Sequence, residues 1–210
     1  MMSILLKKHS LVWVTSLLFV VLLGEVAWGE DFNARTRVTK GTLEFGAMVG
    51  YWKAFDAFHN PPSTNREAVY FLGQIGQVLT DEIGSGGWYG GNVELLIEPM
   101  AAYYWEPFDA SAFGSTLVLK YNFLDFGRWM PFWEGGAGGL WTDLAPDIEE
   151  QSTKWNFILQ TGAGVSYFVN PNMALTTEAR FHHISNANLG NRNTGINAWQ
   201  INVGVSFFSP

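Results

Sequence analysis

The feature that most constrains this chain is an alternation of apolar and polar residues that runs unusually long and recurs in eight segments. These lie at roughly 42–52, 69–79, 90–104, 114–123, 130–141, 155–169, 173–185 and 197–208. Side chains two apart on a strand project from the same face, so each segment has one greasy side and one polar side. The segments exceed the ~5–6 residues of an ordinary globular strand and suit the ~9–11 that cross a bilayer at a tilt. The sense of the alternation is constant. Odd positions of the last three segments carry Trp155, Phe157, Leu159, Ala163, Val165 and Tyr167, then Met173, Leu175, Ala179 and Phe181, then Trp199, Ile201, Val203, Val205 and Phe207. Even positions carry Asn156, Gln160, Ser166, Glu178, Arg180, His182, Gln200, Asn202 and Ser206.

A soluble sandwich or a lipocalin-like carrier alternates in the same way but buries its aromatics and keeps its charges outside. Here the charges fall on the even face: Glu44, Glu94, Glu98, Lys120, Glu178 and Arg180 are interspersed with glycines, as a narrow lumen filled by a polar network requires. The odd face ends in Tyr51, Tyr103, Tyr121, Trp141, Trp155, Tyr167 and Trp199, the pattern of interfacial aromatic girdles. The predicted fold is therefore all-β: an eight-stranded antiparallel up-and-down transmembrane β-barrel. "FVNPNM" at 168–173 and "DFGRW" at 125–129 read as short turns, and 53–68, 105–113, 142–154 and 186–196 as long polar loops on the opposite side. Residues 80–89 are intermediate in length and fit neither class. "GGAGG" at 135–139 lacks the lysine and helix of a phosphate loop and reads as a site of tight curvature or close packing, while Met48 and Met100 read as interior filler.

Residues 1–29 read as an export signal: Lys7 and Lys8, an apolar run from Leu11 to Leu23, and the small pair Ala27 and Gly29. That leaves one barrel domain over 30–210, placed by this reading in a bacterial outer membrane. The chain has a formal charge of −7, and losing the signal makes it more acidic, which argues against nucleic acid as a partner. Absence of cysteine excludes disulfides and thiolate metal sites. No histidine pair stands with carboxylates at ligand spacing, so neither a metal nor a cofactor is predicted.

One stretch departs from the alternation. "FHHISNANLGNRNTGIN", Phe181 to Asn197, crowds histidine, serine and asparagine at the outer end of strand seven and its return into strand eight. Parity puts His183, Ser185 and Asn197 on the greasy wall, where an unpaired polar group costs a few kcal/mol unless it is bonded or wet. One reading leaves all three above the bilayer in water. The other is chemical: an imidazole that takes a serine proton makes a nucleophile, and the ring needs a third group to fix its tautomer. His183 and Ser185 at i and i+2 supply the first two, Asn197 the third, and Asn186 an oxyanion donor. His182 points into the lumen and reads as packing, and His59 has no evident partner.

From Glu178 to Phe208 the chain resembles the active-site segment of the PagL-type lipid A 3-O-deacylases, eight-stranded outer-membrane barrels with a His-x-Ser-Asn motif at the outer end of strand seven. The resemblance implies His183 as general base, Ser185 as nucleophile and Asn186 as oxyanion contributor. It also implies a serine esterase that removes an ester-linked 3-hydroxyacyl chain from the lipid A of lipopolysaccharide, reached sideways through the surrounding outer-membrane lipid and without a cofactor. The family's acid, a glutamate, falls twelve residues after the serine; Asn197 stands there in this chain. An amide can orient the ring but stabilises imidazolium less than a carboxylate. The competing reading is a non-catalytic small barrel that binds a surface partner or lipopolysaccharide through its loops. The sequence leaves open whether two barrels associate as a homodimer.

Overall fold

Eight antiparallel strands close into a barrel in chain order in the computed structural model, which describes residues 32–55, 65–84 and 87–209. They are β1 (Leu43–Ala54), β2 (Glu67–Val78), β3 (Gly91–Glu106), β4 (Ala110–Phe123), β5 (Trp129–Thr142), β6 (Trp155–Asn170), β7 (Met173–Ser185) and β8 (Ile196–Ser209). Closure pairs β1 with β8, with Phe45 opposite Phe207 and Lys53 opposite Trp199, so no strand keeps an open edge. Residues 1–29, the segment read as an export signal, and His59 lie outside the described residues.

Parity holds around the barrel. Odd-numbered Phe45, Phe71, Ile75, Ile97, Phe113, Leu117, Trp133, Leu159 and Ile201 are exposed, forming the lipid belt of a chain whose strands run 12 to 16 residues. Tyr51, Tyr103, Trp155 and Trp199 ring the outer rim, and Trp129 and Phe207 the inner one. The even face is buried and polar at mid-height. Arg180 pairs bidentately with Glu98 at 2.5 and 2.7 Å. Its Nε lies 2.6 Å from Glu134 and 2.5 Å from Glu178, as ion pairs without hydrogen-bond alignment. Lys120 bridges Glu44 and Glu94. Glu134 belongs to this network although the sequence reading omitted it; its even number is the signal that would have found it. The glycine-rich stretch works as expected, since a Cβ on inward-facing Gly138 would lie 2.0 Å from the Ser115 carbonyl oxygen, where β4 and β5 curve tightly.

Two plugs close the ends of the lumen. On the inner side a short helix, α1 (Ala34–Arg37), is capped by the Asn33 side chain accepting from Arg35 N, and it packs Ala34 and Val38 with Val78, Leu124, Met130, Phe168 and Phe208. Four residues are too few to show helical periodicity, so nothing in the sequence announced it. On the outer side Trp52, Tyr70, Tyr104, Leu144 and Ile148 fill the mouth, with the Tyr70 and Tyr104 hydroxyls 2.6 Å apart.

One loop expectation is corrected. The stretch 105–113 is not a long loop: β3 and β4 continue to Glu106 and from Ala110, leaving only 107–109 between them. Ser111 N donates to Asp143 Oδ1 and Asp143 N to Ser111 O, which prolongs the sheet above the bilayer, where strands tolerate polar residues on both faces.

Candidate active site

Strands β6, β7 and β8 present one patch of the outer wall near the outer rim. On β7 the wall-facing residues are Phe181, His183 and Ser185. The register sets Asn197 of β8 opposite His183 and Trp199 opposite Phe181, while on β6 Leu159 faces His183 and Phe157 faces Ser185. His183 and Ser185 are half-buried, and Asn197 is only 6% exposed despite its place on the apolar wall.

The polar groups resolve their cost by pairing. The His183 Nδ1 hydrogen donates to Asn197 Oδ1 at 2.8 Å, which holds the tautomer that leaves the Nε2 lone pair free. An unmade bond at such a surface would cost ~1–3 kcal/mol per group, so the pair is the stable arrangement. Ser185 stands two residues along the same wall. Among the described residues its hydroxyl is not hydrogen-bonded to His183.

Asn186 is fully buried and organises the loop that follows. Its N–H donates to Asn193 Oδ1 at 2.9 Å, its Nδ2 to Arg192 O at 2.8 Å, and its Oδ1 accepts from Asn188 N at 3.0 Å. Leu189 N donates to Asn186 O at 2.9 Å across a tight turn in which Ala187 (φ 51°) and Asn188 (φ 61°) both adopt left-handed backbone. The chain therefore reverses immediately beyond the serine.

Loop 143–154 braces this reversal from behind. Gln151 pairs with Asn193 as a bridge and its Nε2 donates at 3.2 Å to the carbonyl of Ile184, between His183 and Ser185. Thr194 N donates to Glu150 O, and Arg192 N to Ser152 Oγ. Toward the membrane the pair is flanked by three rings: Phe55 stacks on Trp199 at 5.5 Å, and Phe181 meets both edge-on at 6.0 and 5.8 Å. His182 is on the other side of the wall, buried, its ring 5.9 Å from that of Tyr70. Among the described residues no group of three or more His, Asp or Glu side chains is arranged to hold a metal ion.

A family profile for the lipid A 3-O-deacylases (PagL) matches residues 63–206. The chain belongs to the PagL family. Among solved structures, that of the outer membrane enzyme PagL aligns with a TM-score of 0.53 at 18% identity, covering 77% of this chain and 97% of that one. The Neisserial surface protein A aligns at 0.52 and 17% identity, covering 80% and 99%, and the N-terminal β-barrel domain of Pseudomonas aeruginosa OprF at 0.51 and 16%, covering 81% and 99%. No curated protein matches in sequence. Three barrels with different names align almost equally well, so the likeness carries the fold, and the profile match carries the family. Family, closed barrel and lipid belt together place the chain in the bacterial outer membrane.

Gly195 meets the His183 ring and Gln151 bonds the Ile184 carbonyl between His183 and Ser185, and both were missing from the sequence reading. A glycine just before a strand was the available signal for the first. The second left none, because its contact comes from a separate loop.

Proposed function

We propose that this PagL-family chain is an active serine esterase that hydrolyses the 3-O-linked hydroxyacyl ester of lipid A, with His183 as base, Ser185 as nucleophile, Asn197 as the group orienting the ring and Asn186 as an oxyanion donor. The carrying observation is the His183–Asn197 bond on the lipid-facing wall, beside Ser185 and level with the outer aromatic rim. A substrate anchored in the outer leaflet meets the wall sideways, and that is the face these groups present.

In the proposed reaction Ser185 Oγ attacks the ester carbonyl as its proton passes to His183 Nε2. The tetrahedral oxyanion collapses, the carbon–oxygen bond to the sugar breaks, and the imidazolium returns its proton to the leaving alkoxide. Water, activated by the same nitrogen, then releases the 3-hydroxy acid and restores the serine. Asn186 Nδ2 carries two N–H groups, one given to Arg192 O; the proposal assigns the other to the oxyanion. At residue 197 an amide orients the ring without adding a charge, which lowers the rate relative to a carboxylate.

That amide also favours a second reading, a family member that has lost turnover and binds lipopolysaccharide or a surface partner through its loops. Mass spectrometry of lipid A from a Gram-negative host separates the two. Expression of the chain removes one hydroxyacyl mass, and Ser185→Ala and His183→Ala leave lipid A intact; an unchanged spectrum from correctly folded wild-type barrel favours the binding reading.

A further inference from the structure

An imidazole that acts as a base on an open barrel wall needs support on more than one side of the ring. Asn197 holds the Nδ1 side. The adjoining Cε1 edge faces Gly195, the buried last residue of the loop 186–195. Gly195 has φ +78°, and a Cβ built on it would lie 2.8 Å from His183 Cε1, 3.4 Å from Nε2 and 3.6 Å from the Ile184 carbonyl oxygen. The last distance is ordinary contact and the first is not, so a side chain at 195 meets the ring, and at this φ it strains the backbone as well.

Gly195 is itself anchored. Thr194 N donates at 3.0 Å to the carbonyl of Glu150. The Glu150 carboxylate lies 2.5 Å from Arg66 Nη2, with both side chains buried, which ties this loop to the start of β2 across the barrel mouth. Gln151 adds its bonds to Asn193 and Ile184 on either flank.

We infer that Gly195 is a positioning residue for His183: its bare Cα, pinned through Thr194 by the buried Arg66–Glu150 pair, is the surface on which the imidazole is seated with Nε2 turned toward Ser185. The inference rests on the esterase reading for its catalytic meaning, while the seating of the ring is measurable without turnover.

Gly195→Ala and Gly195→Asn in the full chain, folded in detergent and checked by heat-modifiable migration, test it. Asparagine tolerates left-handed backbone yet carries a Cβ. Seating of the ring predicts that both variants lose kcat by about tenfold or more, toward the ~10² that a ~1 Å misplacement costs, with KM little changed. A role limited to backbone conformation predicts that Gly195→Asn keeps wild-type kcat, and that result overturns the inference. The double change Arg66→Gln with Glu150→Gln removes both charges of the pair together and should give a smaller fall of the same kind. Nitrogen resonances of the His183 ring supply the second readout. Loss of the Nδ1–H signature in both Gly195 variants supports the seating even if the wild type proves inactive, and an unchanged ring in both refutes it.

Discussion

His182 and His183 are adjacent in the chain and stand on opposite sides of one strand. His182 is fully buried in the lumen, edge-on to Tyr70, and neither ring nitrogen finds a hydrogen-bond partner among the described residues. His183 is half-buried on the outer wall, bonded to Asn197, with Ser185 two residues along and lipid-facing rings below. The same imidazole is a packing piece on one face and a candidate base on the other. What separates them is a single step of strand parity, which decides whether a nucleophile, an orienting group and a substrate can reach the ring.

The comparison can be broken most severely at the outer face. Ser185→Ala or His183→Ala should cut release of hydroxy fatty acid by about 10⁴-fold or more, as loss of a serine or histidine from a catalytic unit does, while the barrel remains folded. Comparable activity in either variant would erase the distinction between the two histidines. Next in size is a change in the lumen that bears on stability. Arg180→Met strands Glu98, Glu134 and Glu178 without their cation and should cost about 3–5 kcal/mol, read as a lower urea midpoint for the barrel in vesicles.

Asn197→Glu sharpens the outer half of the comparison. A carboxylate in place of the amide that now accepts from His183 Nδ1 should preserve or raise turnover, measured as kcat on purified lipid A; a loss of turnover would contradict the role given to residue 197. The smallest effect belongs to His182→Leu. Its nitrogens are unbonded, and exchanging an unpaired buried polar group for an apolar one of similar size is close to neutral or slightly stabilising. Activity should be unchanged and the unfolding free energy should change by no more than about 1 kcal/mol.

Much of this was legible because a strand converts residue number into sidedness. Period two alone places Phe181, His183, Ser185, Asn197 and Trp199 on one wall and Arg180, His182 and Gln200 on the other, and the structure keeps every one of those faces. The contact between residues 183 and 197 follows from hairpin register across the loop 186–195. What was not legible depends on contacts between loops. The Arg66–Glu150 pair and the Gln151 bond to Ile184 join segments far apart in the chain, and no local pattern marks such partners. Residues 105–113 misled because polarity was read as the end of a strand, whereas β3 and β4 rise past the bilayer into water and stay paired there by Tyr103 opposite Ser111.

The central claim is that Ser185 is a nucleophile activated by His183 on the lipid-facing wall. Labelling the folded barrel with a fluorophosphonate and locating the adduct by peptide mass spectrometry tests it directly. The account predicts an adduct on Ser185 in the wild type and in His182→Leu, and none in His183→Ala; absence of label on folded wild-type protein, or label that survives loss of His183, would contradict it.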